Sequence, residues 1–244
     1  MASTLLSLAR KRMICFPPHI ESNRCARIVE SLTGIGFSLE DLQVYSKGTD
    51  SIILLNRPTG TVLKVVRLDS NANMCREGNM MLYTGYASRK KVAPRVLAFT
   101  REFVHMEFVR GASLKSLLKL NQKIETRQLC LILEKVLELD RIGVDHGELC
   151  RPYRHIIFKE PEREPIIVDF GRASLSRRPK NFTAIMSFLL NNEKALSASA
   201  RRSLLEALNS ACKDERDVPY CALREYKKSM AIGALIVERV CRSA

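Results

Sequence analysis

The chain has 244 residues, 46% of them hydrophobic and 27% charged, which is the balance of one globular domain or two small lobes. That composition excludes a disordered, collagen-like or simple coiled-coil chain. Lysine and arginine outnumber aspartate and glutamate 40 to 26, a net charge of +14, so an anionic partner is expected: nucleotide, nucleic acid, acidic protein or membrane surface.

The first twenty residues contain no acid and include Arg10, Lys11 and Arg12, with a short apolar stretch at Leu5–Ala9. They read as a basic arm, either solvated or substrate-binding, rather than a secretory signal; a transit peptide is the other reading. Ile20, Ile28, Val29, Leu32 and Ile35 recur near helical spacing, predicting a helix over 20–36 that Gly34 and Gly36 stop. The period then changes. Leu42–Tyr45, Ser51–Leu55 and Thr61–Leu68 read as an antiparallel meander around turns at Ser46–Asp50 and Asn56–Gly60. A helix is expected over 73–84, then two hairpin-linked strands, Arg95–Thr100 and Phe103–Val109.

Past Gly111 the pattern is mostly helical. Leu129, Ile132, Leu133, Val136 and Leu137 share one face of a helix over 125–142. Ile156–Phe158 and Ile166–Val168 are short strands, and helices are expected near 181–191, 197–211 and 219–241. The fold class expected is α+β in two lobes: a five-strand antiparallel sheet with one helix, then a helical lobe with a small hairpin. The longest apolar run, Met230–Val237, spans only eight residues against the ~20 a membrane helix needs, so no membrane span is expected. No two of the eight cysteines stand at CxxC spacing, and a chain of this length can build its own core. Reduced cytoplasmic thiols, several of them buried, are therefore expected.

Four positions and one turn carry the chemistry. Lys64 interrupts the apolar strand Val62–Val66, which demands either an edge position in solvent or an anionic partner. Glu77, thirteen residues on, stands on the following helix where it could be that partner. Upstream, Lys47-Gly48-Thr49 is either a plain turn or a place where backbone N–H groups approach a phosphate. Downstream, Glu148 lies in His146-Gly147-Glu148-Leu149, and Asp169 follows the strand Ile166–Val168 in Asp169-Phe170-Gly171. An acid placed after an apolar strand and before glycine suits a divalent metal, and a second acid in another loop suits a proton acceptor; together they fit phosphoryl transfer. Taken singly, Asp169 is as readily a turn aspartate.

In this order, these residues resemble a small atypical protein kinase, closest to the RIO and KEOPS-complex kinases and the short predicted Ser/Thr kinases of archaea. The resemblance covers roughly 40–192. It implies a two-lobe kinase-like fold: an N-terminal arm and helix over 1–37, an N-lobe over 38–110 and a reduced C-lobe over 111–244, with ATP between the lobes. It also implies an ATP-dependent transfer to a Ser/Thr hydroxyl, with Lys64 holding the phosphates, Glu77 orienting Lys64, and the Lys47-Gly48-Thr49 loop lying over the phosphates. Met106–Val109 resembles the adenine-binding hinge, with Glu107 and Val109 as the binding positions. Asp169 matches the metal-binding aspartate.

The chain departs from the family pattern in the Ser46–Ser51 loop, which has one glycine where typical kinases have three, and at two further positions. Glu148 stands where the catalytic aspartate is usual. Tyr153 occupies the position five residues on, where the metal-binding asparagine is expected. His155, immediately before the Ile156-Ile157 strand, is aligned with that asparagine through a two-residue loop insertion. An imidazole favours Mn, Co or Zn over Mg, so Mg or Mn is the expected metal. Asp145 is a fallback acid that would otherwise orient the loop.

The RIO resemblance also allows an ATPase acting on a ribonucleoprotein, and the Glu148 and His155 departures leave a pseudokinase interaction module open, so both alternatives stand beside the kinase. Arg151, Arg154, Arg172, Arg177, Arg178 and Lys180 form either a solvated face or a docking surface for an acidic protein, a ribonucleoprotein or an RNA backbone. With 6% aromatic residues and no tryptophan, base-stacking platforms are scarce.

Overall fold

The computed structural model describes residues 14–15, 22–212 and 218–244. The basic stretch Arg10–Arg12 and the apolar Leu5–Ala9 lie outside the described residues. The chain divides into two compact units: one runs up to Tyr83 and includes Pro94–Phe108, the other comprises Thr84–Ala93 and Val109–Ala244.

The first unit is built on a five-stranded antiparallel sheet, as the alternating segments predict. Its strands are β1 (Leu42–Lys47), β2 (Ser51–Asn56), β3 (Thr61–Val66), β4 (Val96–Phe99) and β5 (Phe103–Glu107), in spatial order β1-β2-β3-β5-β4. β3 is therefore central, with Lys64 opposite Ile53 on one side and Val104 on the other. Val62, Leu63, Val65 and Val66 are all buried, so both faces of β3 are covered, as a central strand requires. Helix α1 (Asn23–Thr33) is shorter than the expected 20–36; Ser22 caps it by accepting from the Cys25 N–H, and it buries Cys25, Ile28 and Leu32. Helix α2 (Met74–Ala87) carries Glu77 in its first turn.

The second unit centres on α4 (Thr126–Arg141), which packs against α5 (Asn181–Asn191), α6 (Ala198–Ala211) and α8 (Met230–Arg242). Leu129, Ile132, Leu133, Val136 and Leu139 are buried, whereas Leu137, expected on that face, is only half-buried. Because α4 is enclosed nearly all round, its polar groups must find partners. The Lys135 ammonium donates to Glu164 Oε1 at 2.5 Å and to the Pro165 carbonyl at 2.7 Å. Asp140 accepts from the Asn181 and Phe182 backbone N–H groups at 2.9 and 3.1 Å, and from the Tyr226 hydroxyl at 2.5 Å. One aspartate thus caps α5 and ties in α7 (Val218–Lys228).

Two expectations change here. The helix predicted over 219–241 is two helices, because Ser229 leaves the helical region (φ −147°, ψ 125°) and caps α8 by accepting from the Ala231 N–H. The hairpin of β7 (Ile156–Lys159) and β8 (Glu164–Ile167) has a third partner, β6 (Gly111–Ser113), which precedes the short helix α3 (Leu114–Lys119). A side chain at 111 would stand 2.0 Å from the Phe158 carbonyl oxygen, so only glycine allows this close pairing.

The expectation of reduced thiols is overturned. Cys15–Cys25, Cys130–Cys241 and Cys212–Cys221 are disulfides, leaving Cys75 and Cys150 free. Pairing depends on which cysteines the fold brings together. Cys130 and Cys241 lie 111 residues apart in sequence, a closeness that spacing motifs do not report. Among the described residues, no helix is long and apolar enough to cross a membrane.

Candidate active site

In the first unit, Lys64 is buried rather than at an edge. Its Nζ donates to Glu77 Oε1 at 2.7 Å, and the two side chains are only 11% and 3% exposed. A buried ion pair of this kind is retained when its geometry is good, and its position is fixed by the central strand on one side and the first turn of α2 on the other.

The loop upstream is a tight turn. The Gly48 N–H donates to the Ser51 carbonyl at 2.8 Å, and the Gly48 carbonyl accepts from Arg67 Nη1 at 3.0 Å. Lys47 and Thr49 are exposed beside it. Glu107 ends β5 opposite Thr61; its N–H donates to the Arg95 carbonyl at 2.9 Å, and its Oε2 accepts from the Arg95 N–H at 3.3 Å. Val109 is buried at the start of the long second segment of the other unit.

The second unit gathers Glu148, His155 and Asp169, with one ligand atom of each within 4.8 Å of the others. Strand register explains how two of them meet. Ile156 pairs with Ile167, and the Val168 N–H continues the ladder by donating to the His155 carbonyl at 2.9 Å. His155 and Asp169 are therefore neighbours across the end of one hairpin, with His155 Nδ1 3.9 Å from Asp169 Oδ2.

Asp169 holds a left-handed backbone, φ 71° and ψ 69°, which a non-glycine residue adopts at some cost. Glu148 enters from the loop after α4. Gly147 before it has φ 86°, and a Cβ there would meet Arg177 Nη2 at 2.7 Å and the Arg172 carbonyl at 3.0 Å. Glycine lets that loop lie against the chain after Asp169.

His155 Nδ1 is buried and, among the described residues, has no hydrogen-bond partner. An orphaned imidazole nitrogen between two carboxylates fits a divalent cation, and the nitrogen donor suits Mn better than Mg. Tyr153, the other position considered for this role, points elsewhere: its hydroxyl donates to Asn192 Oδ1 at 3.2 Å and its ring packs edge-on against Phe188.

The loop around the cluster is fixed by groups whose spacing in sequence did not reveal them. Asp145 is 1% exposed and accepts from Arg177 Nε at 2.6 Å, so this fallback acid serves to hold the loop. His146 is fully buried against Phe170, with Nε2–H donating to the Val168 carbonyl at 3.1 Å. Burial, with the neighbouring His155, lowers its pKa to about 4, so it stays neutral at pH 7. Arg172 Nε stands 3.6 Å from Glu148 Oε1.

Of the six basic residues read as one face, the structure separates three by engaging them: Arg172 with Glu148, Arg177 with Asp145, and Arg178 with the Lys227 carbonyl. Arg151 and Arg154 instead line a recess with Lys115 and Lys119 from α3. The two lysines were missed, since nothing local in α3 links them to the loop thirty residues on. No protein-family profile and no curated protein matches the chain.

Proposed function

We propose that the chain is an ATP-dependent phosphotransferase of the atypical protein-kinase type, with a two-lobe kinase-like fold, transferring the γ-phosphoryl group to a Ser/Thr hydroxyl. The observation that carries this reading is the Glu148–His155–Asp169 cluster, a histidine and two carboxylates gathered within 4.8 Å on two loops. The buried Lys64–Glu77 pair supports it independently, because it fixes an ammonium of the kind that holds nucleotide phosphates.

Asp169 and His155 would hold the divalent cation, Mg or Mn, which when bound neutralises charge on the phosphates. Lys64 binds phosphate oxygens, oriented by Glu77. Glu148 receives the acceptor hydroxyl proton as the acceptor oxygen bonds to the γ-phosphorus. The bond to the bridging oxygen breaks and ADP leaves with that electron pair. Catalysis is then positioning and charge stabilisation. Glu107 and Val109 would bind adenine through their backbone, with Lys47 and Thr49 near the phosphates.

One observation favours a second reading, a pseudokinase or an ATPase with weak nucleotide hold. The Gly48 N–H is spent on the Ser51 carbonyl, so the loop's glycine donor is not turned to a phosphate. We place the protein in the cytoplasm on the kinase resemblance alone; its three disulfides are unusual for that compartment. The charge of +14 favours an acidic protein or a ribonucleoprotein as partner.

Purified protein with γ-labelled ATP, in Mg and Mn in parallel, tests the reading. Label transferred by the wild type and absent with Asp169→Ala is the expected result. Free phosphate without labelled protein moves the assignment to an ATPase. No turnover and no ATP binding overturns it in favour of a pseudokinase.

A further inference from the structure

Beside the metal-type cluster, the second unit has a recess of about 530 Å³. Lys115 and Lys119 from α3 line one side, and Arg151 and Arg154 from the turn after Glu148 line the other. His155 forms part of the same wall, so the recess and the cluster share a residue.

The four cations find no counter-charge among the described residues. Among the described residues, none of their side chains has an ion-pair or hydrogen-bond partner, whereas Arg172, Arg177 and Arg178 in the following segment are each engaged. Lys119, Arg151 and Arg154 are exposed and Lys115 is half-buried, so four like charges around one recess create a local positive potential that attracts an anion. Leu118 gives the recess an apolar surface.

We propose that this recess binds a phosphate monoester already carried by the acceptor, so that the enzyme modifies a polypeptide that is already phosphorylated. The inference deepens the phosphotransferase reading and rests on it for the word acceptor, but the binding it requires needs neither ATP nor turnover. A monoester carries about −1.5 to −2 at pH 7 and three acceptor oxygens. Two guanidinium groups can grip it bidentately while two ammonium groups complete the charge.

An RNA backbone fits less well. Its diesters carry one charge each and would be tracked by cations strung along a surface, not gathered in one recess. Tyr153, the aromatic residue of the lining, is held by Asn192 and Phe188 as part of the wall and is not free to stack on a base. His155 links the two sites, so a phosphate seated here would place a hydroxyl of the same chain near Glu148.

The test is a titration of the full chain, without ATP, with a serine-phosphorylated peptide, its unphosphorylated form and inorganic phosphate as competitor. The phosphopeptide should bind at least about tenfold more tightly than the plain peptide, and phosphate should displace it. The preference should vanish in Arg151→Gln/Arg154→Gln and in Lys115→Gln/Lys119→Gln, each checked for an unchanged melting temperature. Asp169→Ala should keep it. Equal affinity for the two peptides overturns the proposal, as does a preference that survives both double variants. Single-stranded RNA bound more tightly than the phosphopeptide, and lost in the same variants, overturns it in favour of a diester-reading surface. Selective phosphopeptide binding by a protein that transfers no label upholds the recess while the phosphotransferase reading falls.

Discussion

Lys64 and Glu77 meet in a buried, hydrogen-bonded pair, whereas Asp169 keeps 46% of its side chain exposed on a left-handed backbone. The first arrangement is embedded in a sheet and a helix, so its charges help hold the unit together. The second is a loop cluster whose aspartate, being largely exposed, contributes little to packing. Loss of either should stop phosphoryl transfer, but only the first should cost stability.

The largest expected effect sharpens that contrast. Asp169→Ala should reduce transfer by at least about a thousandfold, with the melting temperature unchanged within a degree or two. A mutant that retains transfer removes Asp169 from the reaction. Lys64→Ala should abolish transfer as well, but it leaves a carboxylate only 3% exposed without this cation and should cost about 3 kcal/mol. Urea denaturation reads the difference, and equal stabilities for the two mutants would erase the distinction between the regions.

Away from both sites, the second unit relies on a covalent tie between α4 and α8. Replacing Cys130 and Cys241 by serine together should lower stability by about 3 kcal/mol, the middle of the usual range for loss of a native bridge. Melting with and without reductant measures it; a wild type insensitive to reductant would contradict the expectation.

The smallest effect is on acid stability. Glu138 accepts from Arg141 Nε and Nη2, both at 2.7 Å, from the Arg89 N–H and from Ser88 Oγ. The Arg141 guanidinium above all, with the other donors, outweighs burial and lowers its pKa from 4.5 to about 2. The folded pKa is depressed, so the stabilisation is complete above pH 4.5 and is lost as pH falls through 2. Glu138→Gln should cost about 2 kcal/mol at pH 7 and flatten the acid limb in that window. An unchanged acid limb in the mutant would show that other carboxylates set it.

How much was legible follows from the range of each interaction. The five-strand sheet was readable because alternation and turn residues are local signals, and the Lys64–Glu77 pair because a strand and the next helix are neighbours in sequence. Asp169 and His155 were readable as flanks of two short strands. Their approach required the register Ile156–Ile167, which short apolar segments do not specify by themselves. The break at Ser229 left a local trace, a capping residue after Lys227-Lys228, that a continuous apolar pattern hid.

The sequence by itself determined the α+β class, the strand that carries Lys64 and the order of the loops that carry Glu148 and Asp169, since these depend on periodicity, turn chemistry and adjacency along the chain; that the lysine strand is central came from the sheet order. Only the tertiary structure decided which cysteines pair, that Asp145 is spent on Arg177, and that Lys115 and Lys119 join Arg151 and Arg154 around one recess. Each of these is a meeting of distant segments, and in a packed interior such meetings are set by how whole elements fit together rather than by the spacing of residues along one of them.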